Sequence, residues 1–435
     1  MTAAPTGAAT AWNAIMTLVA HAFSRPGFAV FVDLACGWVL TPGRRTVTRI
    51  IGVIDPEGRR AHDAYHRLLR DGVWQMDQLW RSLTVVIVAR CVAPDAAVVV
   101  DLDDTVFHKT GRRIDGAGSF RDAVRSTRNR VVYTLGLNVV VLSVRVTPVW
   151  GGMPIGLPVA ARIRRKDGDA TTAGLARDML AQLAGWLPDR TFEVACDGAY
   201  ATLCGAGLAR VHITSRLRRD AAVYELTPPR TGRRGRPRKK GQRLPAVATL
   251  AAAATGWTVV TYDQRGTSVV RHIWSRTLLW YHVCGDTPVR LVVVRDPTGR
   301  QPDDFFVTTN TDADPAWVAA HYAGRWSIEV VFRDTKQHLG GQDPQCWKRQ
   351  GPQRVCYLSL WLSSAIWLWY LDVWGARPSW RATPWYPHKT RPSFADALAA
   401  LRRALWSQRI TALWPAEPLP PKIRDDLVHV LATAA

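Results

Sequence analysis

In the stretch YAGRWSIEVVFRDTK, residues 322 to 336, four side chains suited to phosphate chemistry recur at fixed intervals: Tyr322, Arg325, Glu329 and Lys336. At 100° per residue, a helix turns all four into an arc of roughly 60°. Ile328, Val331 and Phe332 fall outside that arc, toward a core. A solvated face with an Arg325–Glu329 pair at i,i+4, worth a few tenths of a kcal/mol, would give the same local pattern. The rest of the chain decides between the two readings.

Two further acids stand where strands end. One lies in DLDDT (101 to 105), after the β-branched run AAVVV; the other is Asp197 in CDGAY. Either alone reads as turn chemistry, because Asp before Thr or Gly is a common turn or cap signal. Together with Glu329 they form three carboxylates from distant parts of the chain. Phosphodiester transfer by two metal ions about 3.5–4 Å apart needs oxygen ligands of this kind. Mg²⁺ takes a few carboxylates plus water and phosphate, so no His or Cys cluster is required.

These acids need rigid elements to hold them. Strand-like runs occupy 96–107, 131–146 and 153–163, followed by a helix over 169–187, started by Asp169 or a nearby Thr. A strand at 190–200, a small-residue helix and a strand at 209–217 complete the series. Three strands, helix, strand, helix, strand is the order of an RNase H-like α/β fold. Residues 1–92 read as a helical DNA-binding region. Its pair of helical patterns across 43–74 breaks at Asp55-Pro56-Glu57-Gly58 and carries Arg44, Arg45, Arg49, Arg59, Arg60 and Arg67. A plain helical hairpin with a basic exterior fits that segment equally well. The core is expected in two parts, 93–217 and 311–375, split by a basic, largely β insertion at 218–310, with a C-terminal helical region at 376–435. Strands are predicted in the insertion at GWTVVTYDQ, SVVRHIWS, TLLWYHVC, VRLVVVRD and DFFVTTN.

The chain of 435 residues carries 57 Lys and Arg against 35 Asp and Glu, a formal charge of +22. A surplus that large points to a polyanion, nucleic acid ahead of an acidic membrane surface. The seven cysteines are scattered with no CxxC pair, which argues against a zinc ribbon or a disulfide framework and fits a reducing cytoplasm. The N-terminal segment has no basic region before its apolar residues and reads as a ragged start to a helix, not a signal peptide. The run VCYLSLWLSSAIWLWYLDVW (355 to 374) is interrupted by Ser359, Ser363 and Ser364 before Asp372. It falls short of the roughly 20 apolar residues of a membrane span and is expected to be a buried helix.

The spacing Tyr322-x2-Arg325-x3-Glu329-x6-Lys336, with the flanking RW-S-IE and KQHLGG, resembles the Tyr-Arg-Glu-Lys signature of DDE insertion-sequence transposases, the cut-and-paste group with an RNase H-like core. The resemblance extends over roughly residues 60 to 370. It implies Asp197 and Glu329 as catalytic metal ligands, Arg325 and Lys336 as phosphate holders, and Tyr322 as a strand-positioning residue. The family's Asp-x-Thr after the first strand selects Asp103, with Thr105, as the first acid. Asp104 is the alternative, and Asp101 a third choice deeper in the strand. It further implies two Mg²⁺ ions (Mn²⁺ able to substitute), double-stranded DNA of element ends and target as partner, a homodimer on paired ends, and a bacterial, nucleoid-associated location. A DDE-type nuclease acting outside transposition and an inactive DNA-binding derivative stay open.

One motif is independent of that resemblance. RRGRPRKKG (233 to 241) is similar to an AT-hook, in which a flat Gly-Arg-Pro core enters a narrow minor groove. Arg234 and Arg236 would enter the groove, with Lys239 and Lys240 beside them; a basic loop touching phosphates alone is the other reading. Trp274 and Trp280 in the insertion could stack on an unpaired base, although core packing is the expectation for either in a chain with 20 tryptophans.

Overall fold

The computed structural model describes residues 7–433, except 112, 123, 124, 128, 167, 169, 230–237, 376 and 414–418. The chain opens with five helices, α1 (Ala8–Thr17), α2 (Arg25–Leu40), α3 (Val47–Ile54), α4 (His62–Arg70) and α5 (Met76–Cys91). Ser24 and Thr46 cap α2 and α3, their hydroxyls accepting from the Gly27 and Arg49 amides. The break after α3 is held by Asp55, whose carboxylate accepts from the Arg59 and Arg60 amides at 3.0 and 2.9 Å. The arginines here do not form one free basic face. Arg45 is buried and donates to the Trp38 and Gly43 carbonyls, satisfying groups left over where α2 ends. Arg60 pairs with Asp33 and Arg67 with Asp63, whereas Arg44 and Arg49 are exposed.

The α/β core follows as β1 (Val98–His108), β2 (Gly118–Arg121), β3 (Tyr133–Val146), β4 (Ile155–Arg164), α6 (Thr172–Trp186), β5 (Phe192–Cys196), a 3₁₀ segment (Gly198–Gly205) and β6 (Val211–Arg216). Thr171 caps α6; Asp169 lies outside the described residues. β1 pairs antiparallel with β3, and β3 with β4, while β5 runs parallel to both β1 and β6. That is the RNase H-like arrangement, three antiparallel strands continued by two parallel ones. Short β2 shares the outer edge of β3 with β4; its four residues carry too little alternation to stand out in sequence.

Beyond β6 come α7 (Val247–Ala252), β7 (Thr258–Gln264), β8 (Thr267–Leu279), α8 (Tyr281–Cys284), β9 (Pro288–Arg295) and β10 (Asp304–Thr308). These strands extend the core sheet, because β10 pairs antiparallel with β6. Among the described residues one ten-stranded sheet results. Two of the expected strands, around 268–275 and 277–284, are instead β8 and the short helix α8: Ser275 and Arg276, both half-buried, continue the ladder with Val292 and Leu291, so their polarity does not mark a gap.

The chain closes with α9 (Pro315–Gly324), α10 (Trp326–Gln337), α11 (Gly351–Trp374), α12 (Phe394–Leu413) and α13 (Pro421–Thr433). α11 is buried along nearly its whole length. Its polar groups find partners: Ser364 donates to the Pro158 carbonyl, Trp361 to that of Leu79, and Arg354 to those of Leu68, Leu69, Gly72 and Trp74. Among the described residues no helix is long and apolar enough to cross a membrane.

Candidate active site

Strand alternation sorts the acids of DLDDT. Successive side chains of β1 point to opposite faces, so Asp101, Asp103 and Thr105 face α10 while Asp104 faces the 3₁₀ segment after β5. Asp103 Oδ2 accepts from Arg325 Nη1 at 2.5 Å, and its Oδ1 from the Asp104 amide at 2.8 Å. Thr105 Oγ1 accepts from Lys336 Nζ at 2.7 Å. Asp104 has both oxygens engaged on the far side, by Tyr200 Oη at 2.7 Å and Asn138 Nδ2 at 2.9 Å. Asp101 is fully buried, bonded by Arg145 and by Ser327 Oγ at 2.5 Å.

The second acid arrives through sheet register. β5 lies parallel to β1 with Cys196 opposite Leu102; one residue on, Asp197 leaves the sheet level with Asp103, on a neighbouring strand roughly 4.8 Å away. Asp197 Oδ1 accepts from the Gly198 amide at 2.6 Å and its carbonyl from Ser215 Oγ at 3.0 Å. It therefore also starts the 3₁₀ segment, the local role that an Asp-Gly pair suggests.

The third acid comes from α10. Glu329 accepts from Arg325 Nη2 at 2.8 Å, so one guanidinium bridges Asp103 and Glu329. The four-residue stripe is not continuous, however. The helix is broken at Arg325: Tyr322 belongs to α9 and Glu329 to α10. The cause is Arg145, whose Nη1 donates to the His321 carbonyl at 2.8 Å, leaving the Arg325 amide to bond Tyr322 instead, one residue short of the α-helical pattern. Gly324 permits this, since a Cβ there would lie 2.4 Å from Arg145 Nη1. Tyr322 consequently packs on Phe306, ring centroids 4.3 Å apart, with Arg325 over its own ring. The expected core face holds, with Ile328, Val331 and Phe332 all buried.

Burial shapes the charges. It pushes the Asp103 carboxyl up to about 6, against the opposing pull of Arg325. It lowers the Lys336 ammonium to about 8, Asp122 restoring only part of the loss. It raises the Tyr322 phenol to about 12. Burial also acts against the charge on Arg325, but the neighbouring Asp103, Tyr322 and Glu329 outweigh it and hold the guanidinium above its ordinary value.

The other expected contacts are placed differently. Arg234 and Arg236 lie outside the described residues. Lys239 pairs with Asp286 at 3.3 Å, and Lys240 sits over the rings of Tyr224 and Tyr281 at 4.1 and 4.5 Å. Trp274 and Trp280 are partly buried against the core. Of the residues that set the orientation of the acids, Arg145 and Asn138 carry no motif, while Ser327 and Tyr200 stand inside RW-S-IE and CDGAY without a role assigned to them. Only an arginine inside the apolar strand 131–146 could have drawn notice.

A family profile described as DDE superfamily endonuclease matches residues 21–281. The chain belongs to that family. The matched stretch contains Asp103, Asp104 and Asp197 and ends before α10. No curated protein matches the chain. Endonucleases of this superfamily act on DNA and generally use divalent metals. Among the described residues of this endonuclease, no three His, Cys, Asp or Glu side chains gather closely enough to hold a metal ion. Arg325 occupies the space between Asp103 and Glu329. The donor chemistry nevertheless fits a hard cation: Asp103 and Glu329 keep 20% and 31% of their side-chain surface exposed, and oxygen donors stand alone, without thiolate or imidazole.

Proposed function

We propose that this DDE endonuclease is a transposase, which binds the terminal inverted repeats of its own element, cleaves there with Mg²⁺ (Mn²⁺ able to substitute) and joins the freed 3′-hydroxyls to target DNA. The observation that carries the reading is the meeting of Asp103 and Glu329 on one guanidinium, with Asp197 level with Asp103 on the neighbouring strand. Asp103, Asp197 and Glu329 would hold the metal ions, which supply Lewis acidity at the phosphoryl oxygens and a more acidic attacking hydroxyl. Arg325 offsets part of the charge of the two carboxylates before DNA arrives and is free to turn to a phosphate when they take up other cations. Lys336, on the same helix face as Glu329, holds a backbone phosphate roughly 10 Å further along the strand, seven residues at 1.5 Å each. Tyr322 supports Arg325 from beneath. The formal charge of +22 supports DNA as the partner. Pairing of two element ends calls for a homodimer.

The test is a plasmid carrying paired inverted repeats, incubated with protein and Mg²⁺. Excision with joining to a second plasmid is expected, and Asp197→Asn or Glu329→Gln should abolish cutting while gel-shift affinity stays within about twofold. With 6–10 phosphate contacts, affinity should fall about 10³–10⁵-fold between 50 and 200 mM salt. Cutting without joining would leave a nuclease; wild-type cutting by either variant would remove that acid from the site.

A further inference from the structure

A cleft of about 1050 Å³ opens beside the end of α10 and shares Lys336 with the site described above. Its walls are the Gly43–Arg45 loop, the residues Lys336 to His338, the segment 381–396 and α12. Six lysines and arginines line it against two carboxylates. Both carboxylates are engaged: Asp343 accepts from the Arg45 amide, and Asp396 from Lys389 and Ser393. Arg44 and Arg381 are exposed and have no ion-pair partner among the described residues.

At the rim stand two aromatic side chains that the fold does not use. Trp385 is 80% exposed and Tyr386 57%. They sit on a tight turn closed by the Tyr386 amide donating to the Thr383 carbonyl at 3.0 Å, with Pro384 fixing its second position. The turn is anchored from below, where buried Asp396 accepts from the Arg381 amide at 3.1 Å and Trp380 Nε1 donates to the Lys389 carbonyl at 3.0 Å. An indole held out to water on an anchored turn, above a cationic cleft, is the combination that binds unpaired nucleic acid: cations follow the backbone while a ring stacks on a base. A paired duplex keeps its bases stacked inside and has no face to offer the indole.

We propose that this cleft is a second DNA subsite, which takes an unpaired strand leading away from the scissile phosphate. Trp385 stacks on one of its bases, and Arg44 and Arg381 bind the flanking phosphates. Lys336 lines both places and joins them, so the strand passes from the acids into the cleft along α10. The inference rests on the DNA-cleaving reading above and adds to it the single-stranded character of the bound segment.

The experiment uses the full chain without divalent metal and two labelled duplexes of one sequence, one blunt and one with a five-nucleotide unpaired tail carrying 2-aminopurine. Wild type should bind the tailed duplex more tightly and quench the 2-aminopurine. Trp385→Ala should lose about tenfold in affinity for the tailed duplex, keep its affinity for the blunt one and leave the probe unquenched. Trp385→Phe should retain most of both signals. Equal losses on the two duplexes, no loss on either, or unchanged quenching by Trp385→Ala would overturn the subsite. So would a change in sedimentation with tailed-DNA affinity intact, which would make the aromatic turn a contact between copies of the chain. Wild type that binds both duplexes but shows no preference for the tail would overturn the subsite alone. Failure to bind either duplex would overturn the DNA reading as well.

Discussion

Replacing Lys336 by Met should make the protein more stable and less able to bind DNA. The ammonium of Lys336 is largely buried, donating to the Thr105 hydroxyl at 2.7 Å, and burial lowers it to about 8. An unfolded lysine titrates near 10.4. At pH 7 the folded state therefore carries a charge that it would hold more cheaply in water, at a cost of roughly 3 kcal/mol from about 1.36 kcal/mol per unit. Loss of the Thr105 bond returns about 1 kcal/mol, leaving a net gain near 2 kcal/mol for the methionine variant. The sign with pH follows from proton binding. Below pH 8 lysine is charged in both states and the penalty is complete; between 8 and 10.4 the unfolded state binds more protons, so wild type gains stability as pH rises. The advantage of Lys336→Met should shrink by roughly 2 kcal/mol between pH 7 and 9.5. Urea unfolding of both proteins at the two pH values, with gel shifts at pH 7, measures this. A pH-independent difference, or a variant that is stabilised yet binds DNA as wild type does, would refute the reasoning.

Asp103→Asn should abolish cutting with little change in stability, whereas Asp104→Asn, which disturbs the bonds from Tyr200 and Asn138, should cut DNA but lose about 1–3 kcal/mol in unfolding; the reverse result would exchange the two roles. Asp101→Asn and Arg145→Met should each cost about 3–5 kcal/mol by leaving a buried partner uncompensated. The double variant should lose much less than the sum, and additivity in a double-mutant cycle would count against a direct pair. Replacing Arg234 and Arg236 together by lysine should weaken binding to A·T-rich duplex more than to G·C-rich duplex in competition, because a planar guanidinium suits a narrow groove better than a hydrated ammonium. Equal losses would leave residues 233–241 as an electrostatic arm.

Much of the core was legible because its signals are local. The β-branched run before DLDDT, the Thr171-capped helix and the apolar side of α10 each follow from side-chain pattern, and their order specifies an RNase H-like sheet. Asp197 and Glu329 could be named from residue type and spacing. The break at Arg325 could not, because its cause lies some 180 residues upstream: the Arg145 side chain takes the carbonyl that a continuous helix would have used. The same holds for the division of labour in DLDDT. Sequence leaves Asp103 and Asp104 as neighbours of one kind, and strand alternation sends one to Arg325 and the other to Tyr200. Composition and periodicity determined that this chain is basic, that its core is α/β and that Asp197 follows a strand, whereas the DLDDT acids, expected where a strand ends, lie inside β1, which runs on to His108. Only the folded chain decided that Arg325 lies between Asp103 and Glu329, that β10 carries the insertion strands onto the core sheet, and that Trp385 faces water above a basic cleft. Each of these depends on contacts between residues far apart in sequence, which no local propensity encodes.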